Sequence, residues 1–106
     1  MKFIKPMLCR TEKEPWNSPD WIWEPKLDGI RLLAFVDKYG VSKLQARSGT
    51  DKTDVFPDLR IETRYPCILD GEVISGNSFQ NMQHRMNRKG GVTQSAKDFP
   101  AHYVVF

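Results

Sequence analysis

Glu24-Pro25-Lys26-Leu27-Asp28-Gly29-Ile30-Arg31 holds the residues of this chain best suited to chemistry. A lysine sits inside an otherwise apolar run, flanked by two carboxylates, a glycine and an arginine. A lysine taken partly out of water gives up its proton more readily, which is what an amine needs to act as a nucleophile. Asp28 can orient that amine. Gly29 lets the backbone turn tightly or lets a ligand come close. Arg31 offers a planar fork of donors for a phosphate or a sugar hydroxyl. The plain alternative is a hairpin with a surface ion pair. Two more stretches belong beside this one. Gln45-Ala46-Arg47-Ser48-Gly49-Thr50-Asp51 puts an arginine at a strand end next to a glycine loop. Leu69-Asp70-Gly71-Glu72-Val73 sets two carboxylates around a glycine in apolar strand sequence, where charge is costly without a ligand or partner.

The elements that must position these residues read as an α+β arrangement, mainly an antiparallel sheet with two short helices. Trp21 to Lys26 is aromatic and β-branched and predicts a strand, with Lys26 at its end. Asp28-Gly29 predicts a hairpin turn into a second strand, Ile30 to Val36. After a turn at Asp37-Lys38-Tyr39-Gly40, Val41 to Arg47 predicts a third. Asp54 is placed to cap a short helix running to about Arg64. Cys67 to Asp70 and Glu72 to Ile74 read as strands, and Ser75-Gly76-Asn77 as a turn. Phe79, Met82 and Met86 mark one face of a second helix. Arg88 to Lys97 reads as a loop and Tyr103 to Phe106 as a last strand. In the irregular segment from Met1 to Asp20, Met7 and Leu8 are the expected core anchors. Trp16, Trp21 and Trp23 are expected in the core, and His84 and His102 as structural or surface residues.

The 106 residues make one small domain, 40% hydrophobic and 27% charged, with a net charge of +3 that mildly favours a polyanionic partner. The two cysteines, Cys9 and Cys67, have no metal-ligand spacing and read as reduced thiols. No apolar run approaches the roughly 20 residues of a membrane span, so a soluble, cytoplasmic protein without membrane contact is expected.

Taken in order, these stretches resemble the nucleotidyltransferase core of ATP-dependent DNA ligases, nearest to the bacterial end-joining, archaeal and phage forms. Glu24 to Arg31 is similar to the nucleophile motif, Ala46-Arg47-Ser48-Gly49 to the one that follows, and Leu69-Asp70-Gly71-Glu72 to the third. Tyr103-Val104-Val105-Phe106 is similar to the start of the next. Phe79 to Arg85 and the opening Ile4-Lys5-Pro6-Met7-Leu8 also fit that group. The resemblance implies a partial ATP-grasp-like nucleotidyltransferase domain.

It also implies roles. Lys26 would attack the α-phosphate of ATP and carry AMP as a phosphoramidate, which would then pass to a 5′-phosphate of nicked duplex DNA. Glu24 would contact adenine, Arg31 and Glu72 the ribose hydroxyls, Arg47 a phosphate, and Phe106 would stack on the base. Magnesium or manganese would neutralise the triphosphate, with Glu72 or Asp28 as ligand. Each position has a structural alternative: Glu24 and Arg47 as solvated strand residues, Arg31 bridged to Asp28 or Glu72, Phe106 as core. Arg85, Arg88 and Lys89 read either as a solvated helix end or as contacts to DNA phosphates.

The family's later motifs and its OB domain have no counterpart here. The expectation is therefore the N-terminal portion of an adenylation domain, inactive alone in nick sealing and slow or inactive in self-adenylation, or completed by a second chain that supplies the missing motifs. Two other readings stay open: a non-catalytic remnant that binds nucleotide or a partner, and a related RNA ligase or capping nucleotidyltransferase.

Overall fold

Four antiparallel strands form the frame: β1 (Ile30–Asp37), β2 (Gly40–Ala46), β3 (Cys67–Ile74) and β4 (His102–Val105), in the order β2-β1-β3-β4. The computed structural model describes residues 2–76, 78–86 and 88–106. Met1 and Asn77, the last residue of the expected Ser75-Gly76-Asn77 turn, lie outside them. β1 is central, and Leu32 to Val36 are all buried on it, as its continuous apolar run requires. Leu32, Ala34 and Val36 point into the core with Leu44, Phe56, Leu59, Val73 and Met82. The β1–β2 turn falls where expected. Gly40 closes it at φ 112° and the Tyr39 amide donates to Asp37 Oδ1 at 2.7 Å.

Two helices follow β3: α1 (Phe79–Met86) and α2 (Val92–Asp98). The first is the helix expected there, with Met82 fully buried and Phe79 left 43% exposed. The second replaces the expected loop over Arg88 to Lys97. The helix predicted from Asp54 to Arg64 shrinks to a single 3-10 turn, Thr53–Val55. The chain beyond it is bent instead to bury Phe56 and Leu59 under the sheet and to bring Asp58 to Arg85. Cys67 to Ile74 is one strand rather than two, because Gly71 pairs straight through the ladder, with Leu32 on one side and Val105 on the other.

The N-terminal segment is tied to the other face of the sheet. The Gln45 side chain, buried in β2, accepts from the Ile4 amide at 3.1 Å and donates to the Ile4 carbonyl at 2.6 Å. Of the expected anchors, Met7 is 84% and Leu8 51% exposed; Pro6 is the buried residue. Residues 21–28 have no regular structure, so the strand predicted from Trp21 to Lys26 and its Asp28-Gly29 hairpin do not form. Among the described residues no strand pairs with this stretch. The tryptophans are outside the core as well: Trp16 and Trp21 stack on each other at 4.3 Å, and Trp23 is 71% exposed.

Candidate functional site

Strand alternation places Arg31 and Leu33 of β1, and Asp70 and Glu72 of β3, on the sheet face opposite the core. In the β1–β3 register, Arg31 stands opposite Glu72 and Leu33 opposite Asp70. Arg31 nevertheless reaches diagonally. Its Nε donates to Asp70 Oδ1 at 2.9 Å and its Nη2 to Asp70 Oδ2 at 2.5 Å, a bidentate fork. Its Nη1 donates to the Met7 carbonyl. The Asp70 contact holds the Arg31 proton above the ordinary arginine range, against some loss from burial. Neither bridge expected for Arg31, to Asp28 or to Glu72, is formed.

Phe106 joins the same group. Its amide donates to the Asp70 carbonyl at 3.1 Å, and its ring faces the Arg31 guanidinium at 5.3 Å. At 57% exposure it is not core. The Glu72 side chain makes no hydrogen bond or ion pair among the described residues. Burial pushes its carboxyl above the ordinary range, with Lys26 and Arg31 partly offsetting this and Asp28 and Asp70 adding to it.

Lys26 lies just beyond this face, where Pro25, Lys26, Leu27 and Asp28 line a shallow pocket of about 240 Å³ with Ile74 and Gly76. Its side chain is 92% exposed, so the burial predicted for it is absent. Asp28 is its ion-pair partner at 3.8 Å. Gly29 fixes how this loop meets the sheet, since a Cβ there would land on the Val73 carbonyl. Its role here is therefore close packing on β3 rather than a hairpin turn.

Glu24 and Arg47 are exposed and make no hydrogen bond or ion pair among the described residues. Arg47 follows β2, in the turn where Gly49 (φ 93°) packs against the Phe3 ring. No group of three or more carboxylate, histidine or cysteine side chains that could cage a metal occurs among the described residues. A magnesium ion that arrives on nucleotide phosphates needs only one or two protein carboxylates, and Asp28 and Glu72 suit that smaller demand.

Arg85 is neither a solvated helix end nor a phosphate contact. Its side chain is fully buried and forks onto Asp58 at 2.6 and 2.8 Å. Asp70 was the residue for which sequence reasoning had no role. The signal lay in the alternation itself, which puts Asp70 and Glu72 on one face and both within reach of Arg31.

Among the described residues, no helix is long and apolar enough to cross a membrane, and both cysteines are free. The family described as ATP dependent DNA ligase domain matches residues 6–106. DNA ligase C1 of Mycolicibacterium smegmatis is 35% identical over 97% of this chain and 33% of its own length. DNA ligase C of Mycobacterium tuberculosis is 32% identical over 97% of this chain and 30% of its own. A solved mycobacterial DNA ligase D, complexed with ATP and MES, superposes with a TM-score of 0.59 at 30% identity, over 78% of this chain and 27% of that one. The chain thus spans about a third of the length of these relatives. With the family model matched over residues 6–106 and relatives above 30% identical over nearly the whole chain, this chain belongs to the ATP-dependent DNA ligase domain family.

Proposed function

We propose that this chain is the part of an adenylation domain that carries the nucleophile, and that Lys26 takes AMP from ATP as the first step of DNA nick sealing. The supporting observation is convergence. Two sequence motifs 39 residues apart meet as the Arg31–Asp70 fork, with Glu72 beside it and Phe106 against it, and the charge of the exposed Lys26 is felt at Glu72. In this reading the uncharged Lys26 Nζ attacks the α-phosphorus. The nitrogen–phosphorus bond forms, the bond to the β-phosphate oxygen breaks, pyrophosphate leaves, and the nitrogen sheds its extra proton to water. Asp28 steers the amine. Arg31 and Glu72 hold the ribose hydroxyls by charge-assisted hydrogen bonds, Phe106 stacks on the base, Glu24 reaches the adenine and Arg47 a phosphate. When bound, magnesium would be held by the phosphates with Asp28 or Glu72 and would supply charge neutralisation for the leaving pyrophosphate. The later transfer to a DNA 5′-phosphate, and its displacement by a 3′-hydroxyl, are assigned to the full ligase of which such a stretch forms part.

Intact mass after incubation with ATP and magnesium tests this. An AMP adduct that builds up slowly, maps to Lys26 and is lost in Lys26→Ala is expected. That variant should fold normally, because the side chain is open to solvent. ATP binding without an adduct, or an adduct on another residue, would overturn the nucleophile assignment in favour of a nucleotide-binding module.

A further inference from the structure

Glu72 and Arg31 are directly opposed across β1 and β3, the arrangement in which a carboxylate and a guanidinium ordinarily pair. They do not pair here. The fork goes instead to Asp70, two residues away on the same strand and face. We infer that Asp70 is a positioning residue of this site: it draws the Arg31 fork away from Glu72 and so keeps the Glu72 carboxylate unpaired and open to the hydroxyls of a ligand's sugar.

Three features support the assignment. The Arg31–Asp70 contact is bidentate and only partly exposed, 20% and 33% at the two side chains, so it is better screened from water than an ordinary surface pair. Asp70 is held on both sides. Its side chain takes Arg31 from β1, and its carbonyl takes the Phe106 amide beyond β4, which sets the ring against the guanidinium. One residue thereby fixes the arginine and the aromatic together. Glu72 remains half-buried without a hydrogen-bond donor, the condition in which a carboxylate gains most from a hydroxyl.

Without Asp70, the carboxylate left on β3 for the freed fork is Glu72, directly opposite Arg31. Arg31 would then close on the carboxylate that the sugar needs. Asp70 contacts no ligand in this account; it acts through Arg31. The sugar part of the inference rests on the nucleotide reading above, while the partner choice of Arg31 does not.

The side-chain Nε–H signal of Arg31 in nitrogen–proton correlation spectra of the 106-residue chain decides the partner choice without any nucleotide. Glu72→Gln should leave that signal in place. Asp70→Asn should shift it, and in the Asp70→Asn background Glu72→Gln should then move it again. A signal that responds to Glu72→Gln in the otherwise unchanged chain would overturn the inference. So would an Asp70→Asn chain, folded by circular dichroism, in which Glu72→Gln still has no effect. If Asp70→Asn fails to fold, the single Glu72→Gln comparison still decides.

The consequence for ligands is read from the preference for ATP over its 2′- and 3′-deoxy forms. The parent chain should prefer ATP by roughly tenfold, and Asp70→Asn should lose that preference. A folded Asp70→Asn chain that keeps the full preference would overturn the positioning role. A parent chain that binds no nucleotide would overturn the sugar assignment and the proposed function together, and the arginine spectra would still report which carboxylate Arg31 chooses.

Discussion

At the scale of single residues, Arg31 and Arg85, two of the arginines that sequence reasoning treated as surface or ligand groups, have opposite fates. Arg31 stays at the rim of a site. Arg85 is fully buried and ties three segments together: it donates to Asp58, to the Val55 carbonyl at 2.9 Å and to the Phe99 carbonyl at 3.2 Å, with its guanidinium 4.8 Å from the Phe56 ring. Asp58 also accepts from the Ala101 amide at 2.9 Å. Burial alone would raise the Asp58 pKa, but the Arg85 and Ala101 hydrogen bonds outweigh it and the net shift is downward. A carboxyl held below its unfolded range adds stability that is complete above that range and is lost as pH falls through it. Arg85→Met should therefore cost about 3 kcal/mol at neutral pH, since it strands Asp58 and empties a buried fork. The gap to the parent chain should narrow at acid pH, as pH falls below the ordinary carboxylate range and through the lowered pKa that Asp58 has in the folded parent. Urea midpoints at neutral and acid pH measure this, and an equal gap at both would mean that the pair is not what holds the segments.

At the scale of elements, legibility followed how far each segment depends on its neighbours. β1, β2 and β3 announce themselves through apolar runs and alternation, and the helix at Phe79–Met86 through its 3.6-residue stripe. The stretch Trp21 to Lys26 has equally strong strand composition but no partner, and β-propensity expresses itself only against a neighbouring strand. The helix at Val92–Asp98 is polar and starts on Gly91 at φ 64°, so no apolar period marks it. The site was legible as residue types and order, because three of its parts sit on strands whose alternation can be counted. The Arg31–Asp70 choice was not, since it depends on a diagonal contact that only the β1–β3 register defines. The joint between β3 and β4 makes a direct test of such register-dependent detail. The Tyr103 ring lies over Gly71, and its hydroxyl meets the Leu32 and Leu69 carbonyls at 2.8 and 3.0 Å. A Cβ at Gly71 would fall 2.5 Å from the Val104 carbonyl oxygen and 2.8 Å from the Tyr103 ring. Backbone on one side and a hydrogen-bonded ring on the other leave nothing to move cheaply. Gly71→Ala should lose about 1–3 kcal/mol in denaturant unfolding and loosen β4, read as faster amide exchange at Tyr103 to Phe106. An unchanged exchange pattern would show that β4 does not depend on this fit.

At the scale of the whole molecule, the chain is more extended than its length requires. Its radius of gyration is 15.1 Å and its extents are 45 × 32 × 24 Å, against about 13 Å for a well-compacted domain of roughly 100 residues. In the N-terminal third, Trp16, Trp21, Ile22 and Trp23 are 48–83% exposed instead of joining the core. Four large apolar side chains in one short exposed stretch are uncommon for a monomer and favour self-association. The loop that bears Lys26 is continuous with this stretch, so the core gains little from it and Lys26 sits on a segment held mainly at Gly29. Replacing Ile22 and Trp23 together by serine separates this description from the strand that their composition suggests. If the stretch lies free of the sheet, thermal stability should stay within about 0.5 kcal/mol of the parent, as for exposed positions generally. Light scattering should show less association at high concentration. If the two side chains are instead buried on a strand in solution, the double replacement should cost several kcal/mol, the scale of two large apolar groups lost from a core. The lysine loop would then be anchored at both ends rather than at one.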